Sequence, residues 1–194
     1  MTTRHDYTRQ HILETGQRII VGKGFASVGL NEILTAAGVP KGSFYHYFAS
    51  KEQYGQALLQ DYFDRYLADL DHLFAGDAGC GHTRLMRYWQ RWRDKQVDTC
   101  AEQQCLVVKL AGEVADLSDA MRITLRDGTD QVVQRIARVI GEGMADGSIP
   151  PLEPQASAQV LYQLWLGASL LGKLHRDGAA LDNALAFTRA MLSP

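Results

Sequence analysis

Apolar residues recur along this chain at spacings of three and four, and nowhere in sustained alternation. Leu30, Ile33, Leu34 and Ala37 fall on one face of a short helix. Gly38-Val39 interrupts it, as glycine does when it takes the left-handed conformation just past a helix end. Pro40 suits the first position of a second helix, where a missing N–H costs nothing. Phe44 and Phe48, four apart, share the inner side of that helix and leave Lys41, Ser43, Tyr45 and His46 pointing elsewhere. Upstream, Ile12, Leu13, Ile19 and Ile20 predict an amphipathic helix over 8–21, stopped by Gly22 or Gly24, with Phe25 packing back into the core. Downstream, Ser50 is the predicted N-cap of a long helix reaching about residue 74, with Tyr54, Leu58, Phe63 and Leu67 on its apolar stripe.

A glycine-rich stretch at 75–81 breaks the pattern and reads as a surface loop, since no strand precedes it to make a nucleotide-binding loop. Further helices are predicted over 84–97, 105–115, 118–144, 154–174 and 181–192, with an unambiguous stop at 146–151. The fold class is therefore all-α. The longest apolar run, 160–174, contains Gln163 and Lys173 and is not expected to span a membrane. An odd count of three cysteines and the absence of a signal-peptide pattern predict a chain of the reducing cytoplasm. No spacing of Cys, His or carboxylates suggests a metal, and no motif suggests a cofactor or a catalytic nucleophile.

Charge changes the picture at the amino end. Residues 1–51 carry six Lys and Arg against three acids, a net +3, which leaves −5 for the remainder. A basic head on an acidic body fits a module that faces phosphate. The second short helix, with its apolar side held down, would present polar donors to the acceptors of a DNA major groove. The alternative at this point is a structural hairpin whose aromatics are all core.

The segment A-A-G-V-P-K-G-S-F-Y-H-Y-F-x-S-K-E strongly resembles the DNA-binding signature of the TetR family of bacterial repressors. The resemblance implies an N-terminal helix-turn-helix DNA-binding domain over 1–51 and a C-terminal helical ligand-sensing and dimerisation domain over 52–194. It implies Lys41, Gly42, Ser43, Tyr45, His46, Tyr47 and Lys51 as DNA contacts, and a homodimer paired through the last two helices on a palindromic operator in double-stranded DNA. One departure is Gly29, where the family has Thr or Ser; Glu32, three residues on, is positioned to complete a capping box.

Two inputs are candidates for a sensor. Tyr88, Trp89, Trp92, Met121, Tyr162 and Trp165 would line an aromatic pocket for a small apolar ligand, although residues at such spacings also make ordinary core. Cys105 opens an apolar helix, a position that favours thiolate, and Lys109 one turn on would add positive charge if it pointed the same way. The segments C-L-V-V-K-L-A-G-E-V-A-D-L-S-D-A-M-R and L-W-L-G-A-S-L-L-G-K resemble the branch of the family that represses the N-ethylmaleimide reductase operon. That resemblance implies Cys105 as a sensor of electrophiles or oxidants, with Lys173 as its partner. A disulfide between Cys100 and Cys105 is compatible with it but not required.

Overall fold

The computed structural model describes residues 4–75, 79–97 and 105–194. Among these, the elements are all helices: α1 (Arg4–Lys23), α2 (Leu30–Ala37), α3 (Lys41–Tyr47), α4 (Lys51–Leu73), α5 (Gly81–Val97), α6 (Leu106–Leu117), α7 (Asp119–Ala145), α8 (Pro154–His175) and α9 (Ala179–Leu192). They form two compact units, Met1–Asp64 with Cys100–Gly128, and Arg65–Thr99 with Thr129–Pro194. The long helices α4 and α7 contribute to both. Among the described residues, no helix is long and apolar enough to cross a membrane.

In the first unit, α1 packs on α2 and α2 on α3. The hairpin turn is fixed by its backbone. Gly38 takes φ 63°, ψ 31°, and its N–H reaches Thr35 O at 3.2 Å while Val39 N–H reaches Leu34 O at 3.0 Å. This pairing satisfies Thr35 O and Leu34 O from the backbone, while Ala37 O, the last carbonyl of α2, is met by the His11 ring of α1 at 3.1 Å. Pro40 departs from expectation: with ψ 147° it is extended and serves as the N-cap of α3. Phe48 also lies outside α3, as its extended C-cap, because its N–H still closes on Phe44 O at 2.9 Å while the chain turns toward α4. It is buried nonetheless. Phe44, Phe48 and Tyr54 of α4 form a triangle of rings with centroids 5.1 to 5.6 Å apart. The Tyr54 hydroxyl donates to Ile12 O of α1 at 3.2 Å, so one α4 side chain grips α1 and braces α3. Burial pushes that phenol well above its ordinary pKa.

Glu32 does not close the expected capping box; its carboxylate pairs with Lys23. Glu32 N–H is instead taken by Gly29 O at 3.1 Å, a backbone cap that an extended glycine supplies. Ser50 does cap α4, accepting Gln53 N–H at 3.0 Å.

In the second unit, α5 starts three residues before its apolar pattern does. Gly81 N–H is bound by the Asp146 carboxylate at 2.9 Å and His82 N–H by Ser148 Oγ at 3.1 Å. The buried Arg84 then bridges Phe74 O, at 2.8 Å, and Glu142, at 2.7 Å. Helices α8 and α9 pack together, with α5 against α9, and Trp165 Nε1–H bonds Thr188 Oγ1 at 3.0 Å across the α8–α9 pair. Five large apolar side chains of α8 and α9 remain exposed: Val160, Leu170, Leu171, Leu174 and Phe187.

Candidate nucleic-acid interface

The two-turn helix α3 owes its position to its buried side. Phe44 is fully buried, so Lys41, Gly42, Tyr45 and His46 are exposed as two pairs four residues apart on the opposite side. Tyr45 is 51 % exposed and stands edge-on to Phe44, ring centroids 5.5 Å apart. His46 stands edge-on to Tyr47 at 5.3 Å, and Tyr47 and Ser43 are half-buried. Six of the seven residues expected to touch DNA thus lie on α3 itself.

Lys51 is arranged differently. Its ammonium donates to Phe25 O at 2.9 Å and lies 4.6 Å from the centre of the Phe25 ring. Burial holds its pKa below the usual lysine value, against the opposing field of Glu113. As placed, Lys51 serves the hairpin's own architecture.

Sequence reasoning passed over the α2 side of the hairpin. A groove of about 410 Å³ runs along the turn, lined by Asn31, Leu34, Thr35, Gly38, Val39, Pro40 and Lys41. Asn31 and Thr35 are both exposed and four apart, on the face of α2 away from Ile33, Leu34 and Ala37. The same periodicity that identified the apolar face would have picked them out. On α1, the Arg9 guanidinium sits 5.4 Å from the Phe48 ring centre.

The sensor candidates separate. Cys105 is the N-cap of α6, with φ −61° and ψ 116°, and is half-buried; the Tyr62 hydroxyl reaches its sulfur at 4.0 Å. Lys109 does not reinforce the thiol: its ammonium is aimed at Gly22 O, 3.4 Å away, at the end of α1. Lys173 is half-buried in the last turn of α8 and belongs to the second unit, Cys105 to the first. Cys100 lies outside the described residues. Cys80, exposed just before α5, has its thiol pKa lowered chiefly by hydrogen bonding to Thr83, whose Oγ1 is 3.2 Å from the sulfur.

Five of the six expected pocket residues form one cluster in the second unit. Trp89 stacks on Trp165 with centroids 5.0 Å apart, Tyr88 lies 4.5 Å from Trp89, and Trp92 lies 5.8 Å from Tyr162. All five are buried against one another, and Trp92 Nε1–H is satisfied by Ser169 Oγ at 2.9 Å. The Trp89 indole N–H is buried without a hydrogen-bond partner among the described residues. Met121 is not part of this cluster. Its sulfur packs beside Gly55 and the Phe25 ring in the first unit, because its face of α7 belongs there.

A helical hairpin that exposes Lys41, Tyr45 and His46 on its outer helix is matched by known proteins, as is the body that follows it. Residues 12–54 match the family model described as bacterial regulatory proteins, tetR family, and residues 81–188 match that of the tetracyclin repressor-like C-terminal domain. The chain belongs to the TetR family. It is a helix-turn-helix DNA-binding regulator of that family, whose repressors bind DNA and act as dimers. It is 38% identical over 192 residues to the HTH-type transcriptional repressor NemR of Escherichia coli K12, covering 98% of this chain and 96% of that one. It is 33% identical to the HTH-type transcriptional repressor DhaR of Mycobacterium sp. strain GP1, over 96% of this chain and 92% of that one. A crystal structure of E. coli NemR in its reduced form superposes with a TM-score of 0.92 at 38% identity, covering 97% of this TetR-family chain and 98% of that one. These relatives are transcriptional regulators, not enzymes.

Proposed function

We propose that this TetR-family chain is a dimeric repressor that reads a palindromic operator through α3 and leaves it when Cys105 is modified by an electrophile or oxidant. In this reading residues 1–51 bind DNA and 52–194 sense and dimerise. Lys41, Gly42, Ser43, Tyr45, His46 and Tyr47 supply the contacts of α3, and Lys51 stiffens the hairpin behind them. The exposed apolar face of α8 and α9 pairs two copies, which sets two recognition helices about one DNA turn apart. The observation that carries the sensing role is the placement of Cys105 at the N-cap of α6, where backbone N–H groups favour a thiolate. The E. coli relative was solved in what is called its reduced form, the state from which a thiol switch would start. Lys173 is assigned as partner to the thiol on the resemblance alone.

A second reading has its own observation. The unpartnered Trp89 N–H inside the aromatic cluster would be satisfied by an acceptor on an apolar ligand, which would have to part the rings to enter. One experiment separates the two. DNA flanking the chain's own gene is titrated in a gel shift, with and without a quinone, for the natural protein and for Cys105→Ser. Specific binding that quinone abolishes only in the natural protein is the expected result. Release of Cys105→Ser by the same quinone assigns sensing to the aromatic cluster, and absence of specific binding overturns the operator role itself.

A further inference from the structure

We propose that Glu113 is a positioning residue for operator binding: its carboxylate, carried on α6, occupies an anion-binding turn between α1 and α2 and sets the attitude of the recognition hairpin. The inference rests on the repressor reading above and adds to it the part that joins the helix of Cys105 to the DNA-binding head.

The turn is Gly24-Phe25-Ala26. Glu113 accepts a hydrogen bond from Phe25 N–H at 3.0 Å and a second from Ala26 N–H. Successive backbone N–H groups pointing to one side make a concavity suited to an anion, and here a side chain from 87 residues away fills it. Gly24 makes this possible twice over. It takes φ 90°, and a Cβ there would stand 3.0 Å from Glu113 Oε2. Any larger residue would be strained and would also press on the carboxylate.

Phe25 is held from its other side as well. Its carbonyl accepts from Lys51 at the first position of α4. One buried residue is therefore clamped between an anion from α6 on its N–H and a cation from α4 on its C=O. Charge-assisted bonds of this kind are short and strong, so the turn follows α6 when α6 moves. Two further ties reinforce the link: Lys109, one turn before Glu113 on the same face, reaches Gly22 O at the end of α1, and Ser118 at the end of α6 donates to Glu52 on α4. Cys105 and Glu113 sit eight residues apart, about 12 Å along one rigid helix. A shift at the N-cap is thereby delivered to the turn from which α2 and α3 hang.

The test uses the full-length protein and the near-isosteric Glu113→Gln. Fluorescence anisotropy gives the affinity for operator DNA and for a scrambled duplex of equal length. Thermal melting and sedimentation report fold and oligomeric state. Positioning predicts about tenfold weaker operator binding, unchanged affinity for the scrambled duplex, unchanged oligomeric state and partial recovery in Glu113→Asp. After alkylation with N-ethylmaleimide the ratio of operator affinities, modified to unmodified, moves toward one in Glu113→Gln. Natural operator affinity in Glu113→Gln overturns the proposal. A variant that loses fold and both DNA affinities together makes Glu113 a plain structural clamp, and overturns it equally. A natural protein that binds no operator fails the repressor reading first, before any variant is compared.

Discussion

At the residue scale the hairpin turns on Gly38. Its φ of 63° is the left-handed region, and a Cβ there would meet nothing within 4 Å. Gly38→Ala therefore isolates backbone strain from steric clash, and the strain costs about 1–2 kcal/mol. The expected outcome is a melting temperature lowered by a few degrees, together with weaker operator binding, because relaxing the turn rotates α3 on α2. A variant that melts early yet binds operator normally would show that the turn tolerates a different backbone. Tyr54 tests the opposite kind of constraint. Tyr54→Phe keeps the ring triangle with Phe44 and Phe48 and removes only the bond to Ile12 O. The loss should be about 1 kcal/mol in chemical denaturation. A larger loss would mean that the hydroxyl also holds the α1–α4 spacing.

At the element scale, what the sequence could and could not announce depends on how far away the deciding partner lies. The helix of Cys105 was legible because Leu106, Leu110 and Val114 repeat on one face, and all are buried. The α2–α3 turn was legible because Gly38 acts on its own neighbours. The limits of α3 were blurred, since the apolar spacing of Phe44 and Phe48 continues past the point where the backbone becomes extended. The start of α5 was hidden, because its first N–H groups are bound by Asp146 and Ser148, more than sixty residues on. The role of Glu113 was hidden for the same reason, and Met121 was misassigned because one long helix serves two cores. The α5 cap makes a pH prediction. Hydrogen bonds from Ser148 and Gly81 hold the Asp146 carboxyl below its ordinary value of 3.8. With the folded value depressed, the cap's contribution is full above the unfolded value and fades as pH falls through the folded one. Asp146→Asn should therefore be less stable than the natural protein at neutral pH, and the gap should close as denaturation is measured progressively below pH 4. A gap that is constant with pH would mean that the carboxylate charge is irrelevant to the cap.

At the scale of the whole molecule, the head's modest charge and the apolar face of the last two helices answer to one another. A net +3 over residues 1–51 binds a polyanion weakly, and two such heads on one duplex double the number of phosphates neutralised. Val160, Leu170, Leu171, Leu174 and Phe187 all stand exposed on α8 and α9, and large apolar side chains gathered on exposed helices mark a surface that meets a partner. Leu174, 69 % exposed, contributes little to the core of its own chain, so Leu174→Glu should leave the melting of an isolated subunit almost unchanged while placing two carboxylates at the proposed pairing surface. Sedimentation should then give a monomer at concentrations where the natural chain is a dimer. The DNA readout supplies the sharper check. Each head that leaves the duplex takes its phosphate contacts with it, so the slope of log affinity against log salt should fall to about half in the monomer. Lys41→Ala in the intact dimer should reduce the same slope by about 1.8, the value for one phosphate lost per head. A Leu174→Glu protein that sediments as a dimer with an unchanged slope would move the pairing surface off α8 and α9. A Lys41→Ala slope equal to that of the natural protein would take Lys41 off the phosphate backbone and leave it to the groove that it shares with Asn31 and Thr35.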